Sequence, residues 1–402
     1  MLDKVQDAFA RLQDYCEASA YKGWDPYDGL NSRLFQAIPP LRNSRLARLA
    51  WIQGFKRSPI NFRPLLGVDK DYNPKALGLF LSSYCALYRK EKKEEYLQKI
   101  RFFIDTLLGL STPGWSGRCW GYNFDWQARA FFQPKYTPTV VASTFIANGL
   151  LDAYEILEEK PLLKAARSTC DFILNDLNRT NGDDGTFAFS YSPLDNSVVF
   201  NASLLGSKLL ARVYHYTGEE KLIDAAKSSV EFCCRQQQEN GAWAYGTYSF
   251  HQWIDNFHTG YNLECISDYM KYSGDKAYEL HVEKGFNYYV RTFFTEEGVP
   301  KYYNNSVYPI DIHAPAQFII TLIRLGKFAE YKEVADRVLN WTLDNMQTKK
   351  GYFSFQIKKY FRSTVPYMRW AQAWMFYAMS HYLEAVAHQV LPNKAAVRTN
   401  RT

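Results

Sequence analysis

Seven cysteines are scattered through the 402 residues without a CxxC pair or a zinc-ligand spacing, and the adjacent Cys233 and Cys234 stand too close to share one metal. An odd number of thiols cannot complete a disulfide framework, so a reducing, cytoplasmic setting is expected and a structural metal is not. No segment reads as the roughly 18 apolar residues that a bilayer crossing needs. The N-terminal MLDKVQDAFARLQDYCEA alternates charge with apolar residues at helical spacing where a signal peptide would carry an unbroken apolar core. Missing too are the phosphate-binding GxxxxGK[ST], GxGxxG after a strand, GxSxG and HExxH. Their absence removes support for nucleotide phosphoryl transfer, hydride transfer, α/β-hydrolase chemistry and zinc proteolysis, and no cofactor is expected. The net charge of +7 is spread along the chain, and its basic C-terminal run NKAAVRTNRT, 393–402, reads as a disordered tail. Nucleic acid is therefore not an expected partner.

Aromatic residues are plentiful instead, at 17% with 30 Tyr, 27 Phe and 10 Trp. Many fall in an internal repeat of a turn glycine, alternating aromatics, a polar loop and a long apolar segment, as in GAWAYGTYSFHQWIDNFHTGYNLECISDY. The glycines are Gly185, Gly241, Gly298 and Gly351, at steps of 56, 57 and 53 residues, with a looser copy from Gly117 and a degenerate one near FRPLLGVDKDYNPKALGLF. Each copy is followed by an amphipathic segment such as PLLKAARSTCDFILNDL, whereas the segment inside the copy, such as TVVASTFIANGLLDAYEIL, is apolar nearly all round and belongs inside. Six inner helices alternating with amphipathic outer ones predict an all-α (α/α)6 toroid over 1–392. Residues 1–60, with helices over 2–20 and NSRLARLAWIQGF, would close the ring. The aromatic loops would then meet at one end and surround a funnel.

The first turns of the inner helices are where site residues are expected. WIDNFHTGYNLE supplies Trp253, Asp255, Asn256, His258, Tyr261 and Glu264; Asp255 or Asn256 suits a helix cap, and Glu264 lies almost two turns deeper. YPIDIHAP supplies Asp311 and His313. YFRSTVPYMRW supplies Arg362, Tyr367, Arg369 and Trp370, with arginines suited to a carboxylate or phosphate. Copy two adds Trp120, Asp125 and Trp126. Outside the repeats, YKGWDPYDGLNS holds Asp25 and Asp28, either as turn chemistry or as two carboxylates folded over the funnel. Asp255, His258, Asp311 and Asp125 are the expected acid–base groups and the others the expected binding groups. The two histidines come from different copies and nothing fixes a third ligand, so no metal is expected.

The runs YKGWDPYDGLNS, WIDNFHTGYNLE and YMRWAQAWMFYA together resemble a bacterial family of six-hairpin toroid proteins from capsule, O-antigen and exopolysaccharide biosynthesis loci. Some of its members carry the label delta-aminolevulinic acid dehydratase, a chemistry of a Schiff-base lysine on a β/α barrel that an all-helical repeat does not supply. The resemblance implies a carbohydrate ligand, and Arg362 or Arg369 could clamp the carboxylate of a uronic acid. It implies either an enzyme acting on a glycan or glycan precursor by hydrolysis, elimination or epimerisation, or a non-catalytic glycan-binding protein of polysaccharide assembly. The funnel histidines of the N-acylglucosamine 2-epimerases, which share the toroid, are not recognisable from spacing in this sequence.

Overall fold

The computed structural model describes residues 1–129 and 131–399, the last eleven of these by their backbone alone. The chain begins with α1 (Leu2–Ala18) and three short helices, α2 (Arg33–Gln36), α3 (Pro39–Asn43) and α4 (Arg45–Arg57). Five helical hairpins follow: α5 (Pro74–Glu91) with α6 (Glu94–Gly109), α7 (Val140–Leu157) with α8 (Lys160–Asn175), α9 (Phe200–Thr217) with α10 (Glu220–Cys234), α11 (Asn256–Ser273) with α12 (Glu279–Phe293), and α13 (His313–Arg324) with α14 (Lys332–Met346). The last helix is α15 (Trp374–Thr399).

Helices α5, α7, α9, α11, α13 and α15 pack each on the next, and α15 packs back on α5, so the inner ring is closed. Their composition explains the placement: α5 buries every residue from 74 to 87 and α9 every residue from 200 to 213, leaving neither a wet face. The outer helices bury one stripe only, as α8 does through Leu162, Ala165, Ala166, Thr169, Cys170 and Ile173. Helix α1 has the same stripe, Val5, Ala8, Phe9, Leu12 and Cys16, and lays it on α15, where Phe9 meets Phe376 with ring centroids 4.7 Å apart. Full burial of a Val, Leu or Phe side chain contributes about 1.5–3 kcal/mol, which fixes α1 against the ring.

The repeat glycines mark where each aromatic loop crosses the next outer helix. Gly241, Gly298 and Gly351 have φ of +95°, +86° and +89°, the left-handed region that a Cβ disfavours. A Cβ on them would run into the backbone of Lys284 in α12, Arg337 in α14 and Arg11 in α1 respectively. Helix α1 thus occupies the position of the sixth outer helix by itself. The expected contribution of NSRLARLAWIQGF to the ring is corrected: α4 fully buries only Ile52 and Phe55, too narrow a stripe for a ring position. It lies over the mouth, fixed by Trp51 Nε1 on the Gly29 carbonyl at 3.0 Å and Lys56 Nζ on the Tyr27 hydroxyl at 2.6 Å.

Short antiparallel ladders tie the mouth loops: β1 (Trp126–Gln127) with β2 (Phe132–Gln133), β3 (Arg179–Asn181) with β4 (Phe187–Phe189), and β5 (Ile310–Asp311), β6 (Gln356–Ile357) and β7 (Arg362–Ser363) in one three-stranded sheet. Two further expectations need correction. Helix α7 does reach the length and apolarity of a membrane crossing, with mean hydropathy 1.3 over 18 residues, but two thirds of it is buried in the inner ring. The stretch 393–399, expected as a disordered tail, continues α15, because adding turns to an existing helix costs far less than nucleating one; residues 400–402 lie outside the described residues. The helical ring contains no β/α barrel among the described residues.

Candidate active site at the mouth of the ring

The six loops and the N-terminal crossing enclose a cavity of about 360 Å³. Every copy contributes to its wall: Lys75 from α5, Trp126 from copy two, Tyr191 from three, Tyr245, Trp253, His258 and Tyr261 from four, Tyr302 and His313 from five, and Arg369 and Trp370 from six, with Tyr27 and Lys56 from the crossing segment. Aromatic rings make most of it. Tyr245 and Trp253 stack with centroids 4.6 Å apart and planes within 15°, a platform of the kind on which sugar rings rest.

Asp255 both caps α11 and serves His258. Its Oδ1 accepts the His258 backbone N–H at 3.0 Å, while Oδ2 lies 2.7 Å from His258 Nδ1 and accepts the Trp253 indole N–H at 3.0 Å. The carboxylate is buried beneath the wall, whereas the imidazole reaches the cavity. With Nδ1–H held by a carboxylate, Nε2 is the lone-pair nitrogen available to a ligand, the arrangement of a general base with its orienting group.

His313, at the start of α13, is clamped between rings. It stacks on Phe257 at 4.3 Å and leans on Trp374 at 4.1 Å, and its Nε2 is 2.7 Å from the Tyr261 hydroxyl. Burial, reinforced by the neighbouring Lys75 and Arg369, holds its pKa well below the usual imidazole value, so it is a neutral imidazole at pH 7. Burial pushes the Tyr261 hydroxyl well above its ordinary value, keeping it a phenol that can donate.

The wall carries four cationic side chains, Lys56, Lys75, Arg129 and Arg369, three imidazoles, His251, His258 and His313, and no Asp or Glu among the described residues. Arg369 spends Nε and Nη2 on Asp25, at 2.6 and 2.9 Å, which leaves Nη1 uncommitted. Lys75 has no carboxylate in ion-pair contact among the described residues. Its Nζ sits among rings, 4.3 Å from the Phe145 centroid, 5.2 Å from Trp374 and 5.6 Å from Tyr261. Burial, then the charge of Arg369, lowers its pKa well below the ordinary lysine value.

Of the residues expected from the sequence, Trp126, Trp253, His258, Tyr261, His313, Arg369 and Trp370 reach the wall. Asp255, Asp311 and Asp25 stand directly behind it. Asp311 is corrected from an acid–base group to a positioning one: Oδ1 accepts the Trp370 indole N–H at 2.9 Å and the His313 backbone N–H at 2.9 Å, and Oδ2 the Gln356 amide at 2.5 Å. Burial raises its pKa to about 6. Asp28 is held by Arg63 at 2.6 Å and accepts the Asp25 backbone N–H; Tyr367 accepts from the same Arg63 at 3.0 Å. This buried knot anchors the N-terminal crossing to copy six, and neither residue lines the cavity.

Five other expectations do not reach the cavity. Trp120 is a core residue whose indole bonds the Leu107 carbonyl at 2.7 Å, repeated by Trp243 on Cys233. Asp125 turns outward and caps the Lys135 N–H at 2.7 Å. Asn256 faces the outer layer, accepting from the Tyr289 hydroxyl at 2.9 Å. Glu264 points down the ring axis into a buried ionic cluster, paired with Lys208 and bonded by Gln317 at 3.0 Å; helical pitch had already carried it away from the mouth. Arg362 stands exposed on β7. Sequence reading overlooked Lys75, Lys56, Tyr27, Tyr245 and Tyr302. Lys75 had a usable signal, a lone cation in the first turn of an otherwise apolar inner helix, capped by Asn73 and begun by Pro74.

Two residues that shape the wall depend on an unusual turn. Arg369 and Trp370 lie in one turn of π-helix, Met368–Ala373, that opens α15; such wider turns reposition side chains at functional sites.

No family model matches the sequence, and no curated protein matches it either. The fold has solved counterparts. The cellobiose 2-epimerase from Bacillus thermoamylovorans superposes with a TM-score of 0.62 at 13% identity, over 78% of this chain and 88% of that one. An unsaturated glucuronyl hydrolase specific for heparin does so at 0.61 and 13% identity, over 96% and 97%. A family 76 glycoside hydrolase from a bovine Bacteroides thetaiotaomicron strain gives 0.60 at 13%, over 79% and 70%. At these identities the likeness establishes the toroid fold.

Proposed function

We propose that this protein is a carbohydrate-active enzyme that moves a proton on an acidic sugar, by epimerisation or elimination. The observation that carries the reading is the composition of the wall: an aromatic platform, a carboxylate-oriented imidazole and four cations of which Arg369 alone is ion-paired, with no carboxylate on the wall among the described residues. Hydrolysis by the usual pair of carboxylates needs two of them flanking the bond, and here each nearby carboxylate is committed behind the wall. The solved counterparts, sugar epimerases and glycoside hydrolases by their descriptions, support a sugar as the ligand.

The chemistry follows from a uronate. Its carboxylate would rest against Lys75 and Arg369, and its ring on Tyr245 and Trp253. His258 Nε2 takes the proton from the carbon next to the carboxylate, and the C–H electron pair moves into that group, where the two cations stabilise the added charge. Return of a proton to the other face, with Tyr261 and His313 as the donor pair, gives the epimer. Loss of the substituent from the neighbouring carbon, its oxygen leaving with the bond pair, gives an unsaturated sugar.

The test is incubation with oligosaccharides of glucuronate, galacturonate and mannuronate in D2O. Deuterium entering the carbon beside the carboxylate, or ultraviolet absorbance from a new conjugated double bond, is expected from the wild type and not from His258→Gln. Release of reducing ends without either signal would overturn the proposal in favour of hydrolysis. Binding without any turnover would favour the second reading, a non-catalytic glycan-binding protein of polysaccharide assembly. We place either activity in bacterial capsule or exopolysaccharide biosynthesis in the cytoplasm, on the support of the three motif runs and the free thiols. The dehydratase label finds no support in a helical ring.

A further inference from the structure

Residues 29–68 contain Arg33, Arg42, Arg45, Arg48, Lys56, Arg57 and Arg63 and not one Asp or Glu; residues 345–383 add Lys349, Lys350, Lys358, Lys359, Arg362 and Arg369, again without an acid. The fold brings the outer parts of these two stretches together on one side of the cavity mouth, where Lys358 Nζ bonds the Arg57 carbonyl at 3.3 Å. The same two stretches bare large apolar side chains. Leu46 is 78% exposed, Ile60 61%, Leu65 80% and Tyr360 85%, and Leu34 and Phe361 are exposed as well. At the opposite end of the ring, where inner helices turn into outer ones, Leu280 in the first turn of α12 is exposed.

We propose that this rim docks on an anionic lipid bilayer and holds the cavity mouth at the membrane surface. The two kinds of side chain decide the occupant together. Exposed Leu, Ile and Tyr gain nothing from a polyanionic glycan in water, but insert at the boundary between headgroups and acyl chains. Arg42, Arg45, Arg57, Lys359 and Arg362 are exposed on the same two stretches and gain from the negative surface potential of an anionic leaflet. A second copy of the chain meeting the same patch across a two-fold axis would set cation against cation. Helix α4 links the patch to the site, because Leu49, Gln53 and Lys56 on one face belong to the cavity wall while Leu46 and Arg57 point away from it. A substrate reaching the cavity from this side approaches along the lipid surface.

The experiment is co-sedimentation of the full chain with vesicles of equal parts phosphatidylglycerol and phosphatidylcholine, against vesicles of phosphatidylcholine alone. Binding to the first and not to the second is expected. Each cation near an anionic surface strengthens binding about fivefold, so Arg57→Gln/Lys359→Gln/Arg362→Gln should weaken it about 100-fold. Leu46→Ser/Leu65→Ser/Tyr360→Ser should weaken it comparably. All six positions are outside the cavity, so unchanged melting temperatures show that the variants are folded. Failure of the wild type to sediment with anionic vesicles overturns the proposal. So does an apolar variant that binds as the wild type does, especially if alginate captures both equally, since that outcome assigns the patch to an acidic polysaccharide. The assay uses no sugar substrate, so its result stands apart from that of the isotope test above.

Discussion

Replacing Lys75 by methionine should make the protein more stable while removing its affinity for an acidic sugar. Moving an ammonium out of water costs several kcal/mol even after relaxation. Against that cost the structure sets no carboxylate and three rings, of which only Phe145, at 4.3 Å, is close; cation–π contacts of this kind return about 1–2 kcal/mol in all. The net penalty is about 2 kcal/mol, and methionine fills the same space without it. For a chain this long that corresponds to a rise in melting temperature of about 2–4 °C.

The pH dependence identifies the cause. Because the folded-state pKa of Lys75 lies below its unfolded value, the unfolded chain binds more protons between the two. Wild-type stability therefore rises with pH through that window. The advantage of Lys75→Met should be full below the folded-state pKa, shrink as pH rises through the window, and vanish as pH passes the unfolded lysine value of about 10.4. Urea denaturation at several pH values measures the gap. A hundredfold excess of uronate over its Kd should add about 2.7 kcal/mol to the wild type and far less to the variant. A variant less stable than the wild type at pH 7, or a gap that ignores pH, would refute the reasoning and make Lys75 a structural cation.

Asp255→Asn keeps a residue that caps helices well but turns an amide donor toward His258 Nδ1 or the Trp253 indole; a stability loss of about 2 kcal/mol and a fall in turnover of about 10³–10⁴ are expected, measured by urea denaturation and by deuterium uptake. Asp311, with its folded pKa raised to about 6, keeps a proton that the unfolded chain has already lost, so it lowers stability as pH rises from about 4 to 6. Asp311→Asn should flatten that part of a pH–stability scan, and an unchanged slope would show that another group is responsible. Gly351→Ala must place a Cβ against the Arg11 carbonyl at φ +89° and should cost more than about 3 kcal/mol, because it parts α1 from the ring. Gly185→Ala, at φ +82° with open space around it, should cost only the 1–2 kcal/mol of left-handed strain. Equal thermal shifts for the two would contradict the assignment of α1 as the closing helix.

The ring itself was legible because its signal is periodic. Inner helices are apolar all round and outer ones on one stripe, and a repeat glycine near every fifty-fifth residue times the loops; these are local, additive patterns. His258, His313, Arg369 and Trp370 were legible for the same reason, since each sits at a corresponding helix start. Lys75 was passed over despite its lone first-turn cation, because its copy lacks the aromatic loop that marks the others, and α4 was misplaced because a weak stripe fits a ring and a lid equally well.

What the chain order alone could not decide is which polar groups face the ligand. Asp25, Asp28, Asp255, Asp311 and Glu264 are all acids near helix starts or inner helices, and each could have lined the funnel. Their partners, Arg369, Arg63, His258, Trp370 and Lys208, lie between 3 and 344 residues away. A buried carboxylate turns toward whatever donor compensates its lost hydration; for Asp255 that donor is one helical turn away, but for the other four it is brought within reach only by tertiary packing. Sequence determined the architecture through burial patterns repeated along the chain; tertiary contact decided the charge of the cavity, because it alone neutralised the acids and left Lys75 without one.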